Sequence, residues 1–274
     1  MKMDIAGFVR LARPVNCLMA SVAVLAGFAV SSGSISFGTP VLLAMAAAFL
    51  VCAAGQTVND YFDHKIDAVL HPDRPIPNGN VKHYDALIFA LLLFIAGNYL
   101  AAQINYIAFV IAAMISVLLF VYSAFMEKFK YIGNWVVALG TSLTLVFGAT
   151  IARDFYAVSF LAALALFSNV GREIAKDFED RKKGETGKIT LPRLIGKKAK
   201  LVVLSLFFAA IALSYFVFFA GIFGNAFYLA VVSIANLAFI HAFLLLKNDS
   251  FEKAQKYCKL GMILALAAFF AGAI

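Results

Sequence analysis

Along the chain, long uncharged apolar runs alternate with short polar connections, and within the runs the apolar positions fill whole helical turns rather than one stripe. Runs of this kind, about 15 to 23 residues long, are enough to cross a hydrocarbon layer of about 30 Å as helices. Nine can be placed, at 14–32, 38–58, 86–102, 104–125, 133–151, 155–171, 201–219, 222–244 and 260–274. The break between the third and fourth rests only on the stretch around Gln103 and Asn105. The expected fold is an all-α integral membrane protein of about nine transmembrane helices, with 1–274 as a single membrane domain. No short-period repeat is evident, and no polar connection is long enough to form a soluble domain. The amino-terminal segment lacks a short apolar core ending in a small-residue cleavage site, so the first helix is expected to be retained.

Composition agrees, at 63% hydrophobic and only 14% charged residues, and excludes an ordinary soluble domain. A net charge of +8 would point to nucleic acid in a soluble protein. Here the placement of the charges explains it better, and no nucleic-acid partner is expected. Lys2, Arg10 and Arg13 precede the first span, and later basic residues fall in 59–83, 126–132, 172–200 and 247–259. The intervening connections near Ser31 to Gly38, Gln103 and Gly221 to Asn225 carry no lysine or arginine, and the one near Asp154 carries only Arg153. Positive charge marks the cytoplasmic side, so the amino terminus and the charged connections are expected in the cytoplasm and the carboxyl terminus outside the cell membrane. Cys17, Cys52 and Cys258 lie within or at the ends of spans without metal or disulfide spacing and read as packing residues. His64, His71 and His83 show no zinc spacing, and His241 reads as a packed or interfacial side chain.

Two acidic segments carry the candidate chemistry. The first, NDYFDHKID from Asn59 to Asp67, continues the second span and is expected to begin as a helix. On a helix Asn59, Asp63 and Asp67 fall at i, i+4 and i+8, and Asp60 joins Asp63 and Asp67 at i+3 and i+7, so their oxygens share one stripe. The second, REIAKDFEDRKKG from Arg172 to Gly184, follows the sixth span and repeats the spacing with Glu173, Asp177 and Asp180. Mg²⁺ removes the repulsion such carboxylates would otherwise suffer and fills its remaining positions with water or substrate phosphate. Two stripes of this kind are expected to hold a cation-bridged diphosphate. The alternative is a pair of solvated charge runs flanking membrane helices. An EF-hand is disfavoured, because the first segment lacks the glycine and closing glutamate of that loop.

The basic residues around these stripes divide between two uses. Arg172 and Lys176 alternate with the second stripe, and Arg181, Lys182, Lys183 and Lys188 follow; most serve orientation and membrane-surface attraction, leaving one or two for phosphate. Lys128 and Lys130 are either diphosphate contacts or positive-inside anchors. In HPDRPIPNG, Pro72, Pro75 and Pro77 forbid a regular helix, and the stiffened loop either holds Arg74 over a site or turns it to solvent. Asn16 and Gln56 within spans face an interior cavity or bond between helices. The 28 Phe and 10 Tyr suffice to line a polyene pocket and shield a carbocation, though most face lipid or other helices.

At NDYFDHKID, the RPIPNG loop and the second acidic motif the sequence resembles the UbiA superfamily of intramembrane prenyltransferases. The likeness extends through LARPVNCLMA and YSAFMEKFKYIGN over most of the chain. It implies a nine-helix fold around a central cavity, with two Mg²⁺ ions and a cytoplasmic cap holding a prenyl diphosphate. By this resemblance Asn59 and Asp63 match ligand positions of the first motif, Glu173 and Asp177 those of the second, and Asp60, Asp67 and Asp180 supporting positions. Many relatives with aromatic acceptors carry aspartate in place of Glu173 and a second basic residue in place of Glu127, departures that bear on acceptor choice. RPVNCLMA, REIAKDFED and TLPRLIGKKAK are most similar to the archaeal digeranylgeranylglyceryl phosphate synthases, a subfamily that makes membrane ether lipids. The implied reaction joins geranylgeranyl diphosphate to the free hydroxyl of geranylgeranylglyceryl phosphate and releases diphosphate. Asp63, Asp177 and Lys128 are then the expected catalytic residues, and Arg13, Asn16, Arg74, Lys128, Arg172, Lys176 and Lys188 the candidates for binding the diphosphate or the acceptor phosphate.

On that reading the metal-bound motifs, with Lys128 and Arg74, neutralise the departing diphosphate, and the apolar surroundings keep water from the allylic cation. The base is either a motif carboxylate or the diphosphate itself. An enzyme with an aromatic acceptor, such as 4-hydroxybenzoate, is the nearest rival. A transporter or channel is the alternative from another class; acids at one surface, uncharged span centres and no inverted repeat argue against it. The topology predicts that a reporter fused after Ile274 reads out on the external side; a cytoplasmic signal would overturn it.

Overall fold

The computed structural model describes residues 4–126, 128–184 and 187–273, so Lys2, Glu127 and Ile274 lie outside the described residues. Every regular element among them is helical: α1 (Ile5–Ala12), α2 (Pro14–Ser32), α3 (Thr39–Leu70), α4 (His83–Ala102), α5 (Tyr106–Val121) with a following π turn, α6 (Lys130–Ala149), α7 (Tyr156–Lys182), α8 (Leu191–Ile195), α9 (Ala199–Phe219), α10 (Ala226–Lys247) and α11 (Phe251–Ala273). Nine helices among the described residues are long and apolar enough to cross a membrane. Exposed apolar side chains such as Ile88, Leu92 and Ile95 on α4 are what a lipid-facing surface requires.

The helices match the predicted spans in order but are longer where charge cuts a hydropathy window. α3 runs on past 58 to Leu70 and α7 past 171 to Lys182, which puts both acidic segments on membrane helices. α3 ends at His71, whose N–H donates to the Asp67 carbonyl at 2.8 Å, just ahead of Pro72. α11 begins at Phe251 rather than 260, because Glu252, Lys253, Lys256 and Lys259 face outward while Ala254, Gln255 and Cys258 are buried. The break at Gln103 is real: the Asn105 side chain accepts from the Ala108 N–H at 2.9 Å and caps α5. α1 was not foreseen. It is capped by Asp4, buries Gly7 and Leu11 and exposes Ile5 and Val9. Arg13 ends it at φ 48, in the left-handed region, and Pro14 then opens α2.

Two compact units emerge from the contacts. The first comprises the described residues of Met1–Leu25 and Ser36–Glu127. Its α3 and α4 pack closely, since a Cβ at Gly97 would lie 2.8 Å from Val51 Cγ2 and 3.1 Å from the Ala47 carbonyl oxygen. Asn98 on α4 donates to Ser116 Oγ on α5 at 2.9 Å. Leu11, Val81 and Ala86, with Phe8 and Ile76, fix α1 to the connection leading into α4.

The second unit comprises the described residues of Ala26–Ile35 and Lys128–Ile274. Its core joins Ile174 and Phe178 of α7, Val203 and Phe207 of α9, Phe239 and Leu246 of α10 and Cys258 of α11. A Cβ at Gly171 would sit 2.4 Å from the Phe207 ring, so the missing side chain lets α9 approach α7 one residue before Arg172. The tightest approach is at Gly27, where a Cβ would lie 2.0 Å from the Leu145 carbonyl oxygen, a backbone atom that cannot rotate aside. Gly27→Ala is therefore expected to force α2 from α6 and cost about 1–3 kcal/mol. Thermal unfolding in detergent checks this, and an unchanged midpoint would refute the contact.

Candidate active site

In the first unit Asp60, Asp63 and Asp67 are all buried on α3, and buried carboxylates demand partners. Asn59 Nδ2 donates to Asp63 Oδ2 at 2.9 Å, one turn away. Arg13 donates from Nη1 to Gln56 Oε1 at 2.7 Å and pairs through Nη2 with Asp60. Arg74 Nη1 lies 2.5 Å from Asp67 Oδ2 and 3.5 Å from Asp60 Oδ1. The turn that carries Arg74 is built from backbone bonds: Arg74 N–H to the His71 carbonyl at 3.0 Å and Val81 N–H to the Pro75 carbonyl at 2.9 Å. Arg74 on this turn thus reaches the acidic stripe through Asp67 and Asp60. Asn16 is exposed and takes no part in these bonds. The His64 and His83 rings each approach the Tyr61 carbonyl, at 2.9 and 3.0 Å, and pack the α3–α4 connection.

The second unit repeats the arrangement with different partners. Glu173 and Asp177 are buried on α7, Asp177 completely. Asn134 Nδ2 donates to Asp177 Oδ2 at 2.7 Å, while Lys130 Nζ lies 2.7 Å from Asp180 Oδ2 and 3.2 Å from Asp177 Oδ1. Arg172 pairs with the neighbouring Glu173, and the Arg172 carbonyl accepts from Gln255 Nε2 at 3.3 Å. Lys176 is half-buried and, with Lys130, adds positive charge around Glu173. Lys128 is exposed; its carbonyl accepts from Ile189 N–H at 2.8 Å, which lays the segment bearing Lys188 beside the start of α6.

Three contacts of the acidic stripes were not foreseen from the sequence. Lys130 stood there beside Lys128 as a diphosphate contact or an anchor, without its partners Asp177 and Asp180, Asn134 only as the end of a motif, and Gln56 without its partner Arg13. Lys130 and Asn134 stand one turn apart at the polar start of α6, the single local signal that they serve a common group.

Among the described residues, no three histidine, cysteine or acidic side chains converge as a ready-made metal site. Each stripe instead offers a pair of oxygen ligands one turn apart, Asn59 with Asp63 and Glu173 with Asp177. Mg²⁺ takes one or two carboxylates and completes its shell with water and substrate phosphates, so these donors fit it in that role rather than in an all-protein cage. Asp177 Oδ1 strengthens the fit: it is buried with no hydrogen bond of acceptable geometry, although Lys130 lies nearby.

Comparison with known proteins places the whole chain. A protein of Methanothrix thermoacetophila named digeranylgeranylglyceryl phosphate synthase is 39% identical over 264 residues, covering 95% of this chain and 96% of that protein. A solved structure described as giving insights into digeranylgeranylglyceryl phosphate synthase in membranes superposes with a TM-score of 0.84 at 34% identity, covering 100% of this chain and 99% of the other. The fold also matches a UbiA homolog from Archaeoglobus fulgidus bound to GPP and Mg²⁺, with a TM-score of 0.71 at 19% identity over 94% of this chain and 99% of that one. The profile of the UbiA prenyltransferase family matches residues 20–270, through both acidic stripes, and the chain accordingly belongs to that family of membrane prenyltransferases.

Proposed function

We propose that this enzyme transfers a geranylgeranyl group from geranylgeranyl diphosphate to geranylgeranylglyceryl phosphate, closing the second ether bond of an archaeal membrane lipid. What carries the reading is the full-length likeness to digeranylgeranylglyceryl phosphate synthases, at 39% identity in sequence and a TM-score of 0.84 in structure. Both substrates bear prenyl chains that dissolve in the bilayer, which suits a chain of membrane helices with polar groups on their extensions. The amino terminus and the charged connections lie in the cytoplasm on this reading, where water-soluble diphosphate leaves.

Two Mg²⁺ ions are assigned, one to Asn59 and Asp63 and one to Glu173 and Asp177. Bound there, Mg²⁺ supplies Lewis-acid neutralisation of the charge that develops on diphosphate as the allylic C–O bond breaks. The remaining residues hold that chemistry in place. Asn134 orients the Asp177 carboxylate through its 2.7 Å hydrogen bond, and Lys130 binds Asp180 on the next turn. Arg13 and Arg74 do the same for Asp60 and Asp67, which therefore act as supports for the basic residues rather than as ligands. Lys128, Lys188, Lys176 and Arg172 offer positive charge to phosphate oxygens from the second unit, and Asn16 is kept as a substrate contact from the resemblance alone.

Asp63→Ala and Asp177→Ala are each expected to lower turnover by about a hundredfold or more, since even second-shell partners of metal ligands cost ten- to hundredfold. Wild-type activity retained by a folded Asp63→Ala or Asp177→Ala protein would remove these residues from the metal scheme. Asn134→Ala is expected to raise the Mg²⁺ concentration needed for half-maximal activity by about ten- to hundredfold, read from a metal titration. For the acceptor, purified protein with Mg²⁺ and geranylgeranyl diphosphate should prenylate geranylgeranylglyceryl phosphate, with the product identified by mass spectrometry. Transfer to 4-hydroxybenzoate with none to the glyceryl phosphate would overturn the assignment.

A further inference from the structure

A cavity of about 300 Å³ in the first unit is lined by three arginines, Arg10, Arg13 and Arg74, together with His71, Asp60 and Asp73. The arginines come from separate stretches: α1, the corner between α1 and α2, and the 71–75 turn. Each is anchored by other protein groups. Arg10 Nη2 donates to the Asp73 carbonyl at 2.9 Å, Arg13 holds Gln56 and Asp60, and Arg74 holds Asp67 at 2.5 Å. A guanidinium carries five N–H donors in a fixed fork, so these contacts leave donors on all three side chains. Three guanidinium charges against the Asp60 and Asp73 carboxylates leave the walls positive. The volume is about ten times one water's share of liquid, enough for a phosphate with a glycerol backbone.

Asn59 and Asp63, the assigned metal ligands of this unit, are not among the lining residues. The cavity thus has the chemistry of an arginine cradle, suited to a phosphate monoester, rather than that of a carboxylate site for a metal-borne diphosphate. An apolar edge lies beside it: α1, which carries Arg10, exposes Ile5 and Val9, at 68% and 51%. A lipid headgroup can therefore enter while its prenyl chain stays in the apolar phase.

We propose that this cavity binds the phosphate of the acceptor lipid, with Arg10 as a specificity-determining residue. The inference rests on the reading of the acceptor as a glyceryl phosphate. In steady-state assays with Mg²⁺ and geranylgeranyl diphosphate, Arg10→Ala should raise the KM for geranylgeranylglyceryl phosphate about ten- to hundredfold while the donor KM stays constant. Arg10→Lys, which keeps charge but loses the fork, should fall between. On geranylgeranylglycerol, which lacks the phosphate, wild type and Arg10→Ala should have equal kcat/KM. If Arg10→Ala and Arg10→Lys depress both acceptors by the same factor, Arg10 is merely structural and the proposal falls. Should wild type transfer nothing to the glyceryl phosphate, the acceptor reading fails first. Titration of metal-free protein with inorganic phosphate then still decides the cavity: weaker binding by Arg10→Ala supports an anion cradle, and equal binding overturns it.

Discussion

A carboxylate that leaves water must be given a positive partner, and both polar regions of this protein are built around that constraint. Six acidic side chains sit on the extensions of two membrane helices, and each has a basic or amide group within reach: Arg13 and Arg74 for Asp60, Arg74 for Asp67, Asn59 for Asp63, Arg172 for Glu173, Lys130 and Asn134 for Asp177, Lys130 for Asp180. Apart from Asn59 and Arg172, which lie on the same helices as the acids, those partners come from the α1–α2 corner, the proline-rich turn and the start of α6, so the connections are placed where the charges need them. The apolar remainder of the chain has the simpler task of burying backbone bonds in helices.

The division of labour between the units is chemical as well as spatial. In the first, guanidinium groups pair Asp60 and Asp67; in the second, where Arg172 pairs Glu173, an ammonium and an amide hold the fully buried Asp177. A guanidinium stays charged and offers a planar fork, whereas an ammonium is a compact, strongly hydrated point charge on a flexible stem. The two stripes share a spacing but are not interchangeable in their electrostatics.

Most of the fold was legible because the lipid environment imposes one rule, a long run of apolar residues for every crossing. The ends of the charged helices were not, since Lys256, Glu252 and the acidic stripes lower hydropathy without stopping a helix; after the stripes, Pro72 and the glycine-containing turn that follows Lys182 do that. α1 was missed because an eight-residue amphipathic helix leaves almost no hydropathic trace. The stripes could be read from their i, i+4 period, a local property. Their partners could not: Asn134 lies 43 residues from Asp177 and Arg13 47 from Asp60, and only packing sets such distances.

The corner at Arg13 carries a cost of its own. A left-handed backbone at a residue with a Cβ is disfavoured by about 1–2 kcal/mol, and glycine would relieve it. Glycine would also remove the guanidinium that neutralises Asp60 and binds Gln56. Thermostability and charge compensation thus compete for one position, so a stabilising screen of this chain that reached Arg13 would trade the polar pocket for a better turn.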